Sequence, residues 1–379
     1  GALVAEYLLE RYGVDGELRW AIAGRNRDKL EGLQRRLQGD SDTPLPIIVA
    51  DNHDRTSLEA LVEHTAVVCS TVGPYAQHGG LLVELCAASG THYCDLTGEV
   101  HWVARNIELH QEAAVASGAR IVHCCGFDSS PSDLGTWFVE RTMQEQHGVA
   151  AQRVRGRVGK TRGGASGGTI ASMMGVLEEA QRDPALRRQL RDKYLLYPRG
   201  EAPGPAVRDQ AGARFDPRFE RWTAPFVMAL SNERVVRRSN ALLGFPWGRD
   251  FNYDEAMLCR SRGEALLISG GMGAGMLAAS TRTGRRVLQR FLPDPGEGPD
   301  RAAPRRPRRC RRQRCPPRAP RGWRDRGGRQ RGWAAGCPYR PAGGAGDPRS
   351  CRGCGRRSPS AVRRRRRSAP AGTRRPGRR

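Results

Sequence analysis

Three apolar runs of this 379-residue chain end in loops of Gly, Pro, Ser, Thr and Asp, and those loops hold most of the residues able to do chemistry. In VVCSTVGPYAQHGG, from Val67, the turn carries Ser70, Thr71, Gly73, Pro74 and Tyr75. A Gly-Pro turn brings backbone close to a ligand, and Tyr75 is placed to cover a flat ring or its sugar. In THYCDLTGE, from Thr91, the residues Tyr93, Asp95, Thr97 and Glu99 alternate, so an extended strand puts all four on one side. A Tyr hydroxyl beside carboxylates is a candidate proton donor or substrate anchor. In RIVHCCGFDSSPSDLG, from Arg120, the hydroxyls and carboxylates are Asp128, Ser129, Ser130, Ser132 and Asp133. A fourth group, Arg25, Asn26 and Arg27, follows the strand-like LRWAIAG. In dinucleotide folds an acid at this point binds the ribose 2′-hydroxyl, whereas Arg accommodates a 2′-phosphate, so NADP is favoured over NAD.

Each group also has a plain structural reading. Arg25 to Arg27 can be the solvated start of a helix, and the Gly-Pro turn an ordinary strand-to-helix connection. The alternating polar residues can be solvated strand ends. Asp128 to Asp133 suit N-capping of a helix over residues 134–145, with Pro131 setting the turn.

The elements that must carry these loops alternate at short spacing. Strands are expected over residues 18–23, 46–50, 66–70, 93–96 and 120–124, the second ending at Asp51. Helices are expected over 27–37, 57–64, 80–89 and 100–117. Such alternation implies an α/β fold with a Rossmann-type doubly wound parallel sheet. Ligands bind such sheets at the carboxyl ends of the strands, where the loops lie. Gly1 runs straight into a helical pattern through Leu3, Val4, Tyr7 and Leu8, with no strand or Gly-rich turn ahead of it. A missing first strand is therefore expected, which would bring the five visible strands to six.

Beyond about residue 135 the regularity fades, and a second mixed α/β domain is expected. It holds a helix over 137–145, a strand with alternating Arg over 154–158, a Gly-rich turn feeding a helix from 163, and a surface loop over 199–218. Residues 265–281 carry no charge and include Gly271 and Gly275 in a GxxxG arrangement. A buried, Gly-rich core helix is the expectation there, and membrane contact the alternative. The organisation is thus 1–135 for cofactor, 136–299 for substrate and 300–379 as a tail.

The formal net charge of +25, from 64 Lys+Arg against 39 Asp+Glu, belongs to that tail. Residues 301–379 hold 28 Arg, two Asp and no Lys or Glu, leaving 36 basic and 37 acidic groups in the rest. Specific nucleic-acid binding by the body is therefore not indicated, although the tail could bind nonspecifically. Arg, Pro, Gly and Ala make up 61 of those 79 residues, and all four have codons opening with two G or C bases. That is how a GC-rich gene reads out of frame, so a frameshift between 300 and 306 is expected. A genuine Arg-rich arm on phosphate backbones is the alternative. With Val362 as its single branched aliphatic residue, the tail is expected to be disordered.

Six cysteines lie in the body, several in apolar runs, which fits a reducing, cytoplasmic setting, with contact at the plasma membrane as a further expectation. Cys351 and Cys354 lack a good second pair or a nearby His, and the eight His show no ligand spacing, so no metal is expected. No Ser-His-Asp arrangement is legible, and Gly159-Lys160-Thr161 lacks the upstream Gly of a phosphate loop.

The strings WAIAGRNRDKLEGL, STVGPYAQHGGLLVELCAASGTHYCDLTGE, CCGFDSSPSDLG, GGASGGTIAS and RRSNALLGFPWGRDFNY resemble the saccharopine dehydrogenase-like oxidoreductases, and within them the trans-acting enoyl reductases of actinobacteria. Members open with a strand and a glycine loop before the first helix, so Gly1 is matched to the last glycine of that loop. Most of the phosphate-binding turn then lies outside the sequence, which predicts weak cofactor binding by the chain as written. The resemblance implies NADP bound by Gly1, Arg25, Asn26, Asp51, Thr71, Gly73, Pro74 and Tyr75. It implies hydride transfer to a carbon-carbon double bond of a polyketide-type lipid, with Tyr93, Asp95 and Thr97 as catalytic candidates. Asp128, Ser129 and Ser132 face the substrate in this reading. A saccharopine-type reaction at a carbon-nitrogen bond is the second enzyme reading, and it should demand several inward Arg. A non-catalytic Rossmann-like protein, associated with lipid or membrane, is the third.

Overall fold

The computed structural model describes residues 1–38, 43–159 and 167–289. The Arg-rich tail, with the frameshift and disorder expected of it, and the turn expected from residue 163 lie outside the described residues.

Parallel pairing begins with two short strands. β1 (Ile22–Gly24) pairs with β2 (Ile47–Val49), flanked by α1 (Ala2–Tyr12) and α2 (Arg27–Gln38). Ala5, Ile22, Leu30, Leu37 and Leu45 bury against one another between them. A second parallel sheet joins β3 (Val67–Ser70), β4 (His92–Asp95) and β5 (Ile121–Val122). Helices α3 (Arg55–Glu63), α4 (Tyr75–His78), α5 (Gly80–Ser89) and α6 (Val100–Ser117) alternate with those strands. Leu58, Leu61, Val83, Cys86, Tyr93, Val100 and Trp102 form the core that the helices press onto the sheet.

The observed orders are β1-β2 and β3-β4-β5. In the dinucleotide order 3-2-1-4-5-6, β2 and β1 take places 3 and 2, and β3 to β5 take places 4 to 6. The break between the sheets thus falls at the place of the central strand.

The remaining elements build a mixed sheet. β6 (Arg153–Val158) lies parallel to β9 (Asn252–Cys259), and β8 (Arg221–Ala224) runs antiparallel to both β9 and β7 (Arg214–Asp216). Around them lie α7 (Ser130–His147), α8 (Gly167–Arg182), α9 (Pro184–Arg191), α10 (Ala229–Leu242), α11 (Arg262–Ala279) and α12 (Arg282–Gln289). The expected boundary at 135/136 falls inside α7. That helix starts at Ser130 rather than at residue 134, with Ser129 as its N-cap residue and Pro131 in its first turn.

Polar residues fill the interior here. Glu233, Arg234 and Arg237 on α10 are all buried. Glu233 takes Lys193 Nζ and Arg237 Nη1 as ion-pair partners and accepts the Glu255 N–H at 3.2 Å. Arg234 donates to the carbonyls of Asp192 at 2.8 Å and Leu190 at 2.6 Å, fastening the end of α9 to α10. The alternating Arg of β6 are spent likewise, Arg157 reaching Asp216 at 2.8 Å and Asp254 at 2.7 Å.

The uncharged run in α11 departs from the expected core helix. Ala265 and Ala279 are buried, while Leu266, Leu267, Met276 and Leu277 are exposed. The helix packs mainly on β8 and α12, and its glycines supply no side chains to bury, so one apolar side stays open. Among the described residues no helix is long and apolar enough to cross a membrane.

Candidate cofactor and active site

The loops after β3, β4 and β5 gather at the carboxyl edge of one parallel sheet, where Ser70 and Asp95 lie in register. After Ser70 the chain turns through Thr71 and a cis Gly73–Pro74 bond into α4. Tyr75 opens α4 and is buried. Its hydroxyl donates to the Ser70 carbonyl at 3.1 Å and accepts the Leu96 N–H at 3.3 Å, so it bridges the ends of β3 and β4. Burial pushes its phenol well above the ordinary range. The Glu99 carboxylate closes the same corner, accepting the N–H groups of Tyr75 at 2.9 Å and Ala76 at 2.8 Å. These are amides that the helix itself leaves unsatisfied.

Asp95 is wholly buried and tied on every side. Oδ1 accepts from the backbone of Thr97 at 3.1 Å and Cys124 at 3.0 Å, and Oδ2 lies 2.6 Å from His123 Nδ1. Beside a carboxylate that ring nitrogen is the donor. Tyr93 packs in the layer beneath, with its ring edge-on to His123 at 5.8 Å and its hydroxyl without a hydrogen-bond partner. Burial is the main cause that raises its phenol.

Tyr93, Asp95, Thr97 and Glu99 are 1%, 0%, 2% and 3% exposed. They share a side of the chain, as their alternation requires, but it is the side that α5 and α6 cover. These residues therefore shape the crevice from below, and Tyr93 and Asp95 have no open path to a ligand. Tyr75 likewise braces the turn instead of lying over it.

The cofactor-side residues are more open. Arg25 is exposed at the end of β1, with no hydrogen bond or ion pair to a described residue. Gly1 is the N-cap position of α1, without a side-chain cap for the first amides. A Cβ on Gly1 would meet Thr71 Oγ1 at 3.0 Å, so the start of α1 and the loop after β3 abut. Gly73 is exposed and Pro74 half-buried. Asn26 Oδ1 accepts the Lys29 N–H at 2.9 Å, which spends it on the start of α2. Asp51 accepts the His53 N–H at 3.0 Å within its own turn. Open amides at a helix start suit a pyrophosphate, and the free guanidinium suits a 2′-phosphate. Gly1, Thr71 and Arg25 therefore fit NADP.

The third loop divides. Asp128 is exposed at the crevice edge, whereas Ser129 is buried at the helix start with no side-chain cap bond. Ser132 turns to the mixed sheet, donating to Glu255 Oε1 at 2.6 Å and accepting from Asn232 Nδ2 at 3.2 Å. Tyr253 adds a bond to the same Glu255 oxygen at 3.0 Å. Ser132 is thus a link between α7, α10 and β9. Among the described residues no cluster of His, Cys, Asp and Glu could hold a metal ion.

Sequence reasoning gave no site role to His123, Asn232 or Glu255, and named Glu99 only as one of the alternating carboxylates beside Tyr93. His123 follows β5 directly, and its meeting with Asp95 depends on the β4–β5 register, which no local spacing reveals. Glu99 was visible in the alternation, but its bonds to the first amides of α4 depend on the fold bringing residues 75 and 99 together.

Residues 1–122 match the saccharopine dehydrogenase NADP-binding domain. With the strand orders and the close approach of Gly1 to Thr71, this defines the class, an NADP-dependent oxidoreductase with a Rossmann-type domain. The chain is 42% identical over 316 residues to a candidate trans-acting enoyl reductase of Mycobacterium tuberculosis H37Rv, covering 80% of this chain and 74% of the relative. It is 35% identical to the trans-acting enoyl reductase of Mycobacterium leprae over 316 residues, covering 79% and 74%. Against that of Mycobacterium bovis BCG the identity is 36% over 315 residues, with the same coverage. The chain belongs to the trans-acting enoyl reductase family.

Proposed function

We propose that the protein reduces the carbon-carbon double bond of an enoyl lipid or polyketide-type intermediate, conjugated to a carbonyl, with NADPH. Bound NADPH would supply the hydride for the β-carbon and leave as NADP+, and a proton from solvent would complete the α-carbon. The observation that carries the reading is the exposed Arg25 at the end of β1, which makes no hydrogen bond or ion pair to a described residue. In this reading Arg25 holds the 2′-phosphate, the first amides of α1 bind phosphate, and Thr71 and Gly73 lie along the nicotinamide half. Tyr75 and Glu99 keep that turn in place. Asp95 sets the floor, with Tyr93 and Thr97 fixing its shape from beneath, and Asp128 stands at the substrate rim.

A substrate of the saccharopine type carries several carboxylates and calls for several cations. The stretches 70–76, 95–99 and 123–129 contain no Lys or Arg, which favours an uncharged, lipid-like substrate at this edge.

Nicotinamide fluorescence with saturating dinucleotide tests the cofactor half. Arg25→Asp is expected to shift the NADPH to NADH affinity ratio about tenfold or more toward NADH, the scale of one charge-assisted hydrogen bond. An unchanged ratio would remove Arg25 from the site. Consumption of NADPH with trans-2-decenoyl-N-acetylcysteamine tests the reaction, and a flat baseline with that thioester would reject it.

A further inference from the structure

The sheet of β3, β4 and β5 has a second face, turned away from α5 and α6, whose side chains the cofactor site does not use. Val67 on β3 and Val122 on β5 are both about half exposed there, so the face is open. Cys69 on β3 stands directly opposite Cys94 on β4 in the parallel register, and Cys125 follows β5. Cys69 and Cys125 are exposed and Cys94 is half-buried, whereas Cys86, Cys124 and Cys259 are buried.

Placement and chemistry single out the first two thiols. Neighbouring strands lie about 4.8 Å apart, inside the Cα separation of about 4.4–6.8 Å that a disulfide spans. Directly paired residues also project from the same side of the sheet, so the two sulfurs share it. The Cys94 thiol donates a hydrogen bond to the Cys69 sulfur, and that bond is the main cause that brings Cys69 down to about 7. Cys69 is therefore largely thiolate just above neutrality, the form that reacts. Cys94 is pushed up by the same bond, by burial and by the Cys69 charge, so it keeps its proton while Cys69 is ionised. One sulfur is a nucleophile and its neighbour a thiol in reserve.

We propose that Cys69 and Cys94 are a hydroperoxide-reactive dithiol site that closes reversibly to a disulfide beside the cofactor turn. The Cys69 thiolate attacks a peroxide oxygen, the O–O bond breaks and hydroxide leaves, giving a sulfenic acid on Cys69. Cys94 then gives up its proton, its sulfur attacks the Cys69 sulfur, and the S–O bond breaks with release of water. Two electrons pass from the thiol pair to one hydrogen peroxide, whose oxygens leave as hydroxide and water. The first step also removes the negative charge that held the Cys94 proton, which eases the second. A bridge that small thiols reopen suits a reducing setting, where disulfides are transient. The site needs neither NADPH nor an enoyl substrate, so it stands or falls apart from the reductase reading.

Hydrogen peroxide in slight excess over the full chain at about pH 7.5, then alkylation with iodoacetamide in denaturant and cleavage after Glu, tests the site. The expected product joins residues 64–84 to residues 85–99, with the alkyl group on Cys86. Dithiothreitol added before the alkylation should separate the two. Cys69 should be consumed about threefold or more faster than Cys125, whose thiol is raised mainly by burial. In Cys94→Ser the reaction should stop at the sulfenic acid, which dimedone captures on Cys69. A bridge from either peptide to any other cysteine, such as Cys125 in residues 113–140, would overturn the pairing. Cys69 recovered as alkylated thiol after N-acetylcysteine in the same solution is spent would overturn the site. So would a bridge that dithiothreitol leaves closed. Mapping of the wild-type chain decides these outcomes alone, whether or not the variant folds.

Discussion

The parallel sheets at the start of the chain and the mixed sheet after them solve burial in opposite ways. Around β3, β4 and β5 the interior is Leu58, Leu61, Val83 and Cys86, and the buried polar groups lie mainly at the strand ends, with His101 and Asn106 on α6. Around α10 the interior is itself charged, with Glu233 between Lys193 and Arg237. An apolar interior depends on volume and tolerates rough substitution, whereas a charged one fails when a single partner is removed. The contrast also follows the roles of the two regions. The first presents loops to a ligand, and the second must anchor those loops through bonds such as Ser132 to Glu255.

The sharpest way to break this contrast is Glu233→Ala, which leaves the buried Arg237 without its acid and Lys193 with Asp209 alone. Its expected cost is about 3–5 kcal/mol by denaturant unfolding. A loss below about 1 kcal/mol would mean that Lys193 and Arg237 are already compensated elsewhere. Leu58→Ala in the apolar region is expected to cost about 2–4 kcal/mol, a transfer and cavity loss that salt should not alter.

A smaller effect concerns pH. Burial holds the His101 ring below its ordinary value of 6.5, against the opposing pull of Glu179 and Glu99. Between the ordinary and the lowered value the unfolded chain binds more protons than the folded one. Stability at this position is therefore complete above about pH 6.5 and declines as the pH falls through the lower folded value. His101→Phe should flatten that part of the stability profile, and an unchanged acid slope would refute the linkage. The smallest change is chemical. A hydrogen bond from Cys94 is the main cause that brings the exposed Cys69 thiol to about 7, while burial pushes Cys86 to about 12. Iodoacetamide at pH 8 should label Cys69 well before Cys86, as read by peptide mass. Equal rates would show that the apolar region opens readily.

Much of the first region was legible because its punctuation is local. The bounds of α5 and α6 match expectation, since Gly90 and Gly118 end them at φ of 83° and 80°. The strand expected over 18–23 shortens to Ile22–Gly24, because only those residues find ladder partners, in Ile47–Val49 of β2. Residues 265–281 misled because lack of charge says what a helix can bury, not whether a partner covers it. At the site the grouping of Tyr93, Asp95, Thr97 and Glu99 was readable, and the direction was not. Alternation fixes which residues share a side, while the choice between crevice and interior belongs to the helices that pack there. The burial of His101 carried no signal, as one His among eight on a helix that reads as ordinary.

Asp95 carries a mechanical consequence. A carboxylate that holds the amides of Thr97 and Cys124 and the ring of His123 works as a rivet through two successive loops. Those loops can travel, but only together. The turn at Pro74 is held to the same side through Glu99, whereas α8 makes no such bond to these loops among the described residues, so a gap for a bulky ligand should open at α8 while this side stays rigid.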